Sequence, residues 1–474
     1  MTAALRKKTV PSQATPAPAP GAKGALADIW GLAWPQMLMM LFHFCIGFVD
    51  VLVAGRIGSE VQAAMGMVNS LLFFFLVVAV AVANGAVAAV AQSMGAGLMH
   101  RVRRYVGLVL LTGVFSGALI LLVCLPFKGP VLDILQVPPA VRPVMETYYD
   151  IFVLLLPVYY IFILVNALFR AQKKVMQPLY AMILVMIVNT VGDFGLGLGM
   201  WGFPDLGYKG LAWATFGSIT AGAALNLWML RRDGLLALGS FPPWRWARRA
   251  LPYIVRVAWP GGLMQVVWHG AYLVLFAIVA SLPKESVAAL AGMSAGLRVE
   301  SILFLPGFAF NMTASILVGQ YLGQGRPDLA KSYVLRLLGL AVAVISLLAV
   351  GLWAVVEPVA ALVAPDAAVQ IQTIDYLAYN LLAIPFTLTT MTLAGAMTGA
   401  GATLYNLLVF GAVSWGVRLP LAWLLGHVLM ERAEGVWLAM LLSQALQALI
   451  VLYIFTCKDW SRFALVKRRK RNGP

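Results

Sequence analysis

The chain alternates between long apolar segments and short polar ones. Each apolar segment is close to the roughly 20 residues that a helix needs to cross a lipid bilayer. In the lipid interior no water is present to accept or donate hydrogen bonds, and an α-helix satisfies all the backbone N–H and C=O groups of its segment. Apolar stretches of this length therefore predict transmembrane helices. Twelve of them follow one another: residues 30–55, 62–95, 104–126, 146–169, 177–201, 208–230, 252–281, 286–320, 333–356, 372–400, 404–429 and 436–457.

Composition supports an all-α membrane protein. Of the 474 residues, 62% are hydrophobic and 11% are charged, and the mean hydropathy is +0.88. Soluble domains contain about 25% charged residues. Three cysteines predict no disulfide framework, and four scattered histidines predict no metal motif. The spans contain no pairing of nucleophile and base, so we expect neither an enzyme nor a cofactor.

The distribution of Lys and Arg predicts the orientation. If the N-terminus is cytoplasmic, 25 of the 34 basic residues lie in cytoplasmic segments and six lie in the opposite loops. Cytoplasmic loops carry this excess in most membrane proteins. We therefore expect a multi-pass protein of the inner (plasma) membrane with both termini in the cytoplasm. The net charge of +16 then reflects contact with membrane lipids and not nucleic-acid binding.

The two halves of the chain repeat each other. Residues 33–35 (AWP) recur at an offset of 225, residues 63–67 at an offset of 226, and QSMGAG at 92–97 recurs as QYLGQG at an offset of 228. Each half holds six spans, so both enter the membrane in the same orientation, related by an axis along its normal. The predicted organisation is a disordered cytoplasmic tail (1–29), an N-lobe (30–230), a cytoplasmic inter-lobe loop (231–251), a C-lobe (252–457) and a basic cytoplasmic tail (458–474).

Four polar residues interrupt the spans of the first half. Asp50 lies in the first span, and a charge there is expected to face a cavity or the protein interior. Asn189 and Asp193 are four residues apart, so they lie on one face of the fifth helix. Thr215 follows the next loop. All four fall toward the outer side of the N-lobe. Their oxygens suit a hard cation or shared protons; the alternative is a structural polar network.

The sequence resembles the multidrug and toxic compound extrusion (MATE) family over residues 30–457, and its DinF-like branch most of all. The stretches that carry the resemblance are FVDVLVAGRIG (48–58), VAQSMGAG (90–97), NTVGDFGLGLG (189–199), RVESILFLPGFAF (298–310), VGQYLGQG (318–325), MTGAGAT (397–403) and VRLPLAW (417–423). The resemblance implies twelve helices in two six-helix lobes related by pseudo-two-fold symmetry, arranged in a V around a central cavity. It also implies that Asp50, Asn189, Asp193 and Thr215 form a coupling site for H⁺ or Na⁺.

Other intramembrane polar residues have structural explanations. Arg298 and Glu300 are two apart on the eighth span and cannot face each other. We therefore predict an inter-helix ion pair between Glu300 and Arg418 that stabilises the fold. His43 and His269 occupy near-equivalent positions of the repeat. We expect them, with Arg298, to be polar groups of the bundle or the cavity rather than proton carriers.

These observations favour a secondary antiporter. It would export organic solutes or drugs, cationic or amphipathic, in exchange for H⁺ or Na⁺, working as a monomer. The alternative is a flippase for a lipid-linked precursor, which would need an extended basic groove. The sequence leaves the coupling ion and the physiological cargo open.

Overall fold

The computed structural model describes residues 22–364 and 366–465, which fold almost entirely as helices. Short loops join them, and two π-helical turns (Ser414–Arg418 and Leu424–Leu429) flank α14. The helices are α1 (Ala22–Ile57), α2 (Ser59–Gly95), α3 (Met99–Cys124), α4 (Lys128–Ile134), α5 (Arg142–Ala171), α6 (Met176–Leu198), α7 (Tyr208–Arg232), α8 (Trp244–Ala280), α9 (Ser286–Gly323), α10 (Pro327–Ala354), α11 (Val356–Val363), α12 (Ala367–Ala400), α13 (Thr403–Val413), α14 (Leu419–Trp423) and α15 (Ala433–Cys457).

The prediction of an all-helical membrane protein is confirmed. Within the described ranges, 11 segments are long and apolar enough to cross a membrane, and one of them, Thr403–Leu429, combines α13, α14 and both π-helical turns. The one predicted span that is not among these 11 is the sixth, which corresponds to α7. This helix has 25 residues and is therefore about 37 Å long. It is more polar than the others because its sequence is rich in Gly, Ala, Ser and Thr.

Two helices begin well inside segments that the sequence predicted to be a tail and a loop. Helix α1 begins at Ala22, inside the predicted tail, because Ala25 and Ile29 are fully buried against the second half of the protein. Helix α8 begins at Trp244, inside the predicted inter-lobe loop, and its first turns pack on α2 and α3. Residues 1–21 of the predicted tail lie outside the described residues.

The apolar cores follow the two halves of the chain. Buried residues of α1, α2, α5, α6 and α7 form one cluster, and those of α2, α3 and α5 form a second with the start of α8. The largest cluster joins the rest of α8 to α9, α10, α12, α13 and α15. Helices α1 and α2 also pack on α9, and α2 packs on α8, so the two halves meet along these four helices.

The halves make their closest approach at the end of the bundle where α2, α9 and α15 finish, which we call the tail end. A β-carbon on Gly95 would lie 2.0 Å from the Gln320 carbonyl oxygen, and one on Gly323 would lie 2.1 Å from that of Gln92. Glycine is thus required at both positions, because any side chain would push α2 and α9 apart. The repeated QxxGxG motifs are the two surfaces of this contact.

The glutamines of these motifs exchange hydrogen bonds between the halves. Gln92 Nε2 donates to the Gly399 carbonyl of α12 at 2.9 Å, and Gln320 Nε2 donates to the Ala171 carbonyl of α5 at 3.1 Å. Donors and acceptors are related by the same offset of 228 residues. Leu465 N also donates to Gln92 Oε1 at 2.6 Å, so the C-terminal segment covers the same contact.

Candidate functional site

Three polar residues of α1 and α6 form a buried cluster in the first half. Asn189 and Asp193 are fully buried, and Asp50 is 9% exposed. Asn189 Nδ2 donates to Asp193 Oδ1 at 3.3 Å, and the Asp50 carboxyl contacts both of these residues. The i, i+4 spacing predicted that Asn189 and Asp193 share a face, and the packing of α1 on α6 brings Asp50 to that face.

The cluster contains oxygens without hydrogen-bond partners. Within the described residues, Asp50 Oδ1, Asn189 Oδ1 and Asp193 Oδ2 are buried and unpartnered. Leaving such an atom unsatisfied in a protein interior costs roughly 1–3 kcal/mol. Two carboxyl groups in contact repel when both are ionised, but they can share a proton or a hard cation. The donor set, which consists of oxygens alone, suits either occupant.

Two tyrosines of α5, which the sequence did not indicate, lie beside the cluster. The Tyr148 hydroxyl is buried without a hydrogen-bond partner in the described chain and lies within electrostatic range of Asp50 and Asp193. Tyr159 is in range of Asp50. Both belong to an apolar run of aromatic and aliphatic residues, in which a hydroxyl gives no signal until the neighbouring helices are placed.

A cavity of about 1040 Å³ lies between the two halves, next to the cluster. Along α2 its wall runs from Gln62 to Val80, and the remainder of the helix, up to Gly95, leads to the tail-end contact instead. On the side of the second half its wall includes Gln265 of α8, residues of α9 and Val363 of α11. The aromatic residues in its wall are Phe44, Phe48, Phe73, Phe152, Tyr159 and Phe162.

Three of the four cluster residues predicted from the sequence line this cavity. They are Asp50, Asn189 and Thr215, while Asp193 lies behind them. The Thr215 hydroxyl donates to the Leu211 carbonyl at 3.2 Å within its own helix, which leaves its lone pairs facing the cavity region. An ion or a proton in the cavity can therefore reach the carboxyl pair of Asp50 and Asp193 through Asp50.

The arrangement matches a known family. The MatE family pattern matches residues 35–194 and 260–424, one block in each half and most of the chain in total. The chain belongs to the MATE family. The resemblance inferred from the sequence is thus confirmed, and this member is a multi-pass membrane transporter.

Several relatives of this MATE protein match it over most of its length. It is 25% identical over 448 residues to a probable multidrug resistance protein NorM of Thermotoga maritima, covering 93% of this chain and 94% of the relative. It is 25% identical to the multidrug resistance protein PmpM of Pseudomonas aeruginosa, covering 85% and 84%. It is also 24% identical to an FAD transporter of Shewanella oneidensis, covering 75% and 77%.

Solved structures share the fold. A crystal structure of a MATE protein in the straight conformation superposes with a TM-score of 0.85 at 18% identity, covering 93% of this chain and 97% of the other. The Vibrio cholerae MATE transporter VcmN in its bent form gives 0.83 at 19% identity, covering 91% and 96%. The prediction of twelve helices in two related lobes agrees with these superpositions.

The second half of this MATE protein holds its own buried polar cluster. Glu300 is 4% exposed and Arg418 is 3% exposed. They interact electrostatically, but the ion pairs of the described ranges, taken to 4.0 Å, do not include a direct contact between them. The Tyr376 hydroxyl donates to Glu300 Oε2 at 2.6 Å, and Arg418 Nε donates to Ser443 Oγ at 2.9 Å.

The prediction of a direct Glu300–Arg418 pair is therefore corrected to a wider network. The physical reason is that each charged group has a hydroxyl partner of its own. Tyr376 of α12 bonds Glu300, and Ser443 of α15 bonds Arg418. Tyr272 of α8 also lies close to Arg418. The network joins helices of the C-terminal half, as the predicted structural role requires, but by hydroxyl groups that sequence spacing does not reveal.

The remaining predicted polar residues separate into two locations. His43 and Arg298 line the cavity. His269 instead stacks on Phe73, with ring centroids 3.6 Å apart, and its Nδ1 lies 3.1 Å from the Gln265 carbonyl oxygen. His269 is thus not in the cavity wall itself but packs against Phe73, which is. This position agrees with the expectation of a packed histidine.

Proposed function

We propose that this MATE transporter exports organic amphipathic solutes in exchange for H⁺ or Na⁺, with Asp50 and Asp193 as the coupling groups. The observation that carries the proposal is the contact between two carboxyl groups, one of which lines a cavity large enough for a drug-sized molecule. Relatives named as multidrug resistance proteins support the substrate class.

The coupling follows from the unpartnered oxygens of the cluster. A proton or Na⁺ taken up by Asp50, Asp193 and Asn189 cancels the repulsion between the carboxyl groups and satisfies their lone pairs. Thr215 supplies a further oxygen from α7 on the same side of the cavity. Cation and substrate then favour opposite states of the transporter, which is the thermodynamic requirement for exchange.

Orientation belongs to the same proposal. We assign the tail end, with its basic segments, to the cytoplasm of a cell bounded by this inner membrane. The cavity then faces the outside in this structure, because α2 and α9 close the tail end. A cation entering from outside reaches Asp50 while the solute leaves.

The flippase alternative finds less support. A lipid-linked precursor carries phosphates and calls for several basic residues along a groove. Among the described residues, Arg298 is the one Lys or Arg in the cavity wall.

The test is dye efflux from proteoliposomes under an imposed proton gradient and, separately, a sodium gradient. Asp50→Asn and Asp193→Asn should abolish gradient-driven efflux while the folded protein remains in the membrane. Asp150→Asn is the matched control, because Asp150 also lies in a long helix but is exposed and pairs with Lys128. Full gradient-driven efflux by Asp50→Asn would refute the coupling role.

A further inference from the structure

The cavity wall offers a substrate one positive charge without a carboxylate partner in the described chain, that of Arg298. Among the described residues, the wall contains four titratable side chains: His43, Asp50, Tyr159 and Arg298. The Asp50 carboxyl lies on the first half, in contact with Asp193 and Asn189. Arg298 has no carboxylate within 4.0 Å in the described chain, and its side chain is exposed.

The neighbours of Arg298 on α9 do not neutralise its charge. Glu300 is two residues further along the helix, so it points to a different side. Its carboxyl is buried in the C-terminal half and accepts the Tyr376 hydroxyl. The Ser301 hydroxyl bonds the main-chain carbonyl of Arg298 and leaves the guanidinium unaffected.

An exposed guanidinium within a spanning helix has to face water or a ligand. Charged residues inside membrane spans are costly unless they line a cavity or find a partner. The position of Arg298 in the cavity wall satisfies the first condition, and an anionic group on a bound molecule satisfies the second. Arg is suited to this task, because its planar fork binds carboxylate or phosphate with two parallel hydrogen bonds.

The other residues of the cavity wall indicate what the uncharged part of that molecule is. Six aromatic side chains contribute to the wall, from α1, α2 and α5 of the first half, whereas Arg298 belongs to the second half. Aromatic faces bind flat ring systems in offset or edge-to-face contact. A molecule that spans the cavity would place its rings on these residues and its anion at Arg298.

We propose that the cavity selects aromatic solutes that carry a carboxylate, sulfonate or phosphate group, and that Arg298 recognises this group. The proposal rests on the proposed export function and narrows its substrate class from amphipathic solutes in general. It thus predicts an anionic group on the substrate, whereas the sequence analysis expected cationic or amphipathic solutes.

A matched pair of dyes tests the proposal by binding alone. A rhodamine free acid and its methyl ester share one ring system and differ by one carboxylate. Fluorescence polarisation with purified protein in detergent should give at least tenfold tighter binding of the acid, the scale of a hydrogen bond to a charged group. Arg298→Ala should remove this preference and leave ester binding unchanged, and Arg298→Lys should restore part of it.

A control variant tests whether any loss of an arginine would have the same effect. Arg336→Ala removes an exposed arginine of α10 outside the cavity and should not alter either dye. Tighter binding of the ester by the wild type, equal loss of both dyes in Arg298→Ala, or no binding of either dye would overturn the proposal. Asp50→Asn should retain the acid preference. If the wild type shows this preference but no gradient-driven efflux, the proposed export function fails and the assignment of Arg298 stands.

Discussion

The tail-end crossing of α2 and α9 allows a prediction whose sign differs from that of an ordinary glycine substitution. In Gly95→Ala the new β-carbon would lie 2.0 Å from the Gln320 carbonyl oxygen. Carbon and oxygen atoms in close contact stay about 3.3 Å apart, so the two helices would have to separate by more than about 1 Å. The obstacle is backbone, which cannot rotate away as a side chain can.

The magnitude follows from two opposing terms. Replacing glycine by alanine inside a helix stabilises it by about 0.5–1 kcal/mol. Forcing an extra carbon into a packed contact costs about 1–3 kcal/mol. The separation would also weaken the hydrogen bonds from Gln92 to Gly399 and from Gln320 to Ala171. We therefore expect a net loss of stability for Gly95→Ala.

Thermal unfolding of the purified protein, followed by tryptophan fluorescence, measures this loss. Gly339→Ala is the matched control, because Gly339 lies inside α10 with nothing within 4 Å of an added β-carbon. Its midpoint should stay or rise, whereas that of Gly95→Ala should fall by about 1–2 °C. Gly323→Ala should behave like Gly95→Ala, and the double variant should lose less than the sum, because one separation relieves both contacts. Equal midpoints for Gly95→Ala and Gly339→Ala would refute this account of the crossing.

Two further predictions concern charged groups of the second half. Tyr376→Phe removes the hydroxyl bonded to the buried Glu300 and should destabilise the protein by about 1–3 kcal/mol, whereas Tyr379→Phe, on the same helix, should have little effect in the same unfolding assay. Outside the spans, the Lys284 ammonium lowers the pKa of the Glu431 carboxyl. A lowered pKa contributes stability above the unfolded pKa and loses it as pH falls through the folded value, so Lys284→Met should differ from wild type less at acidic pH than at pH 7. Because both groups are exposed, that difference should be small, and a large one would show a role beyond the surface pair.

Sequence patterns predicted the helices and part of the site for identifiable reasons. Span length, the repeated motifs and the spacing of Asn189 and Asp193 are all properties of a single helix. They can therefore be read from the sequence without knowing how helices pack. The partner of Glu300 was missed because Tyr376 is one hydroxyl among many on α12, and only packing of α9 on α12 selects it. Tyr148 was missed for the same reason. The bond from Leu465 to Gln92 joins residues too distant in sequence for any local pattern to indicate.

The repeat is preserved in the backbone at the tail end but not in the chemistry of the cavity. The glycines and glutamines of α2 and α9 are equivalent in both halves, as a contact formed by two similar surfaces requires. At the offset of 225 residues, however, the counterpart of Asp50 is Leu275, which is 1% exposed within the apolar core. The carboxyl pair therefore belongs to one half and the guanidinium of Arg298 to the other. A proton or Na⁺ bound by the first half and an anionic group bound by the second would occupy separate walls of one cavity. Exchange between them would then require a change in how the halves meet and not direct competition for one side chain.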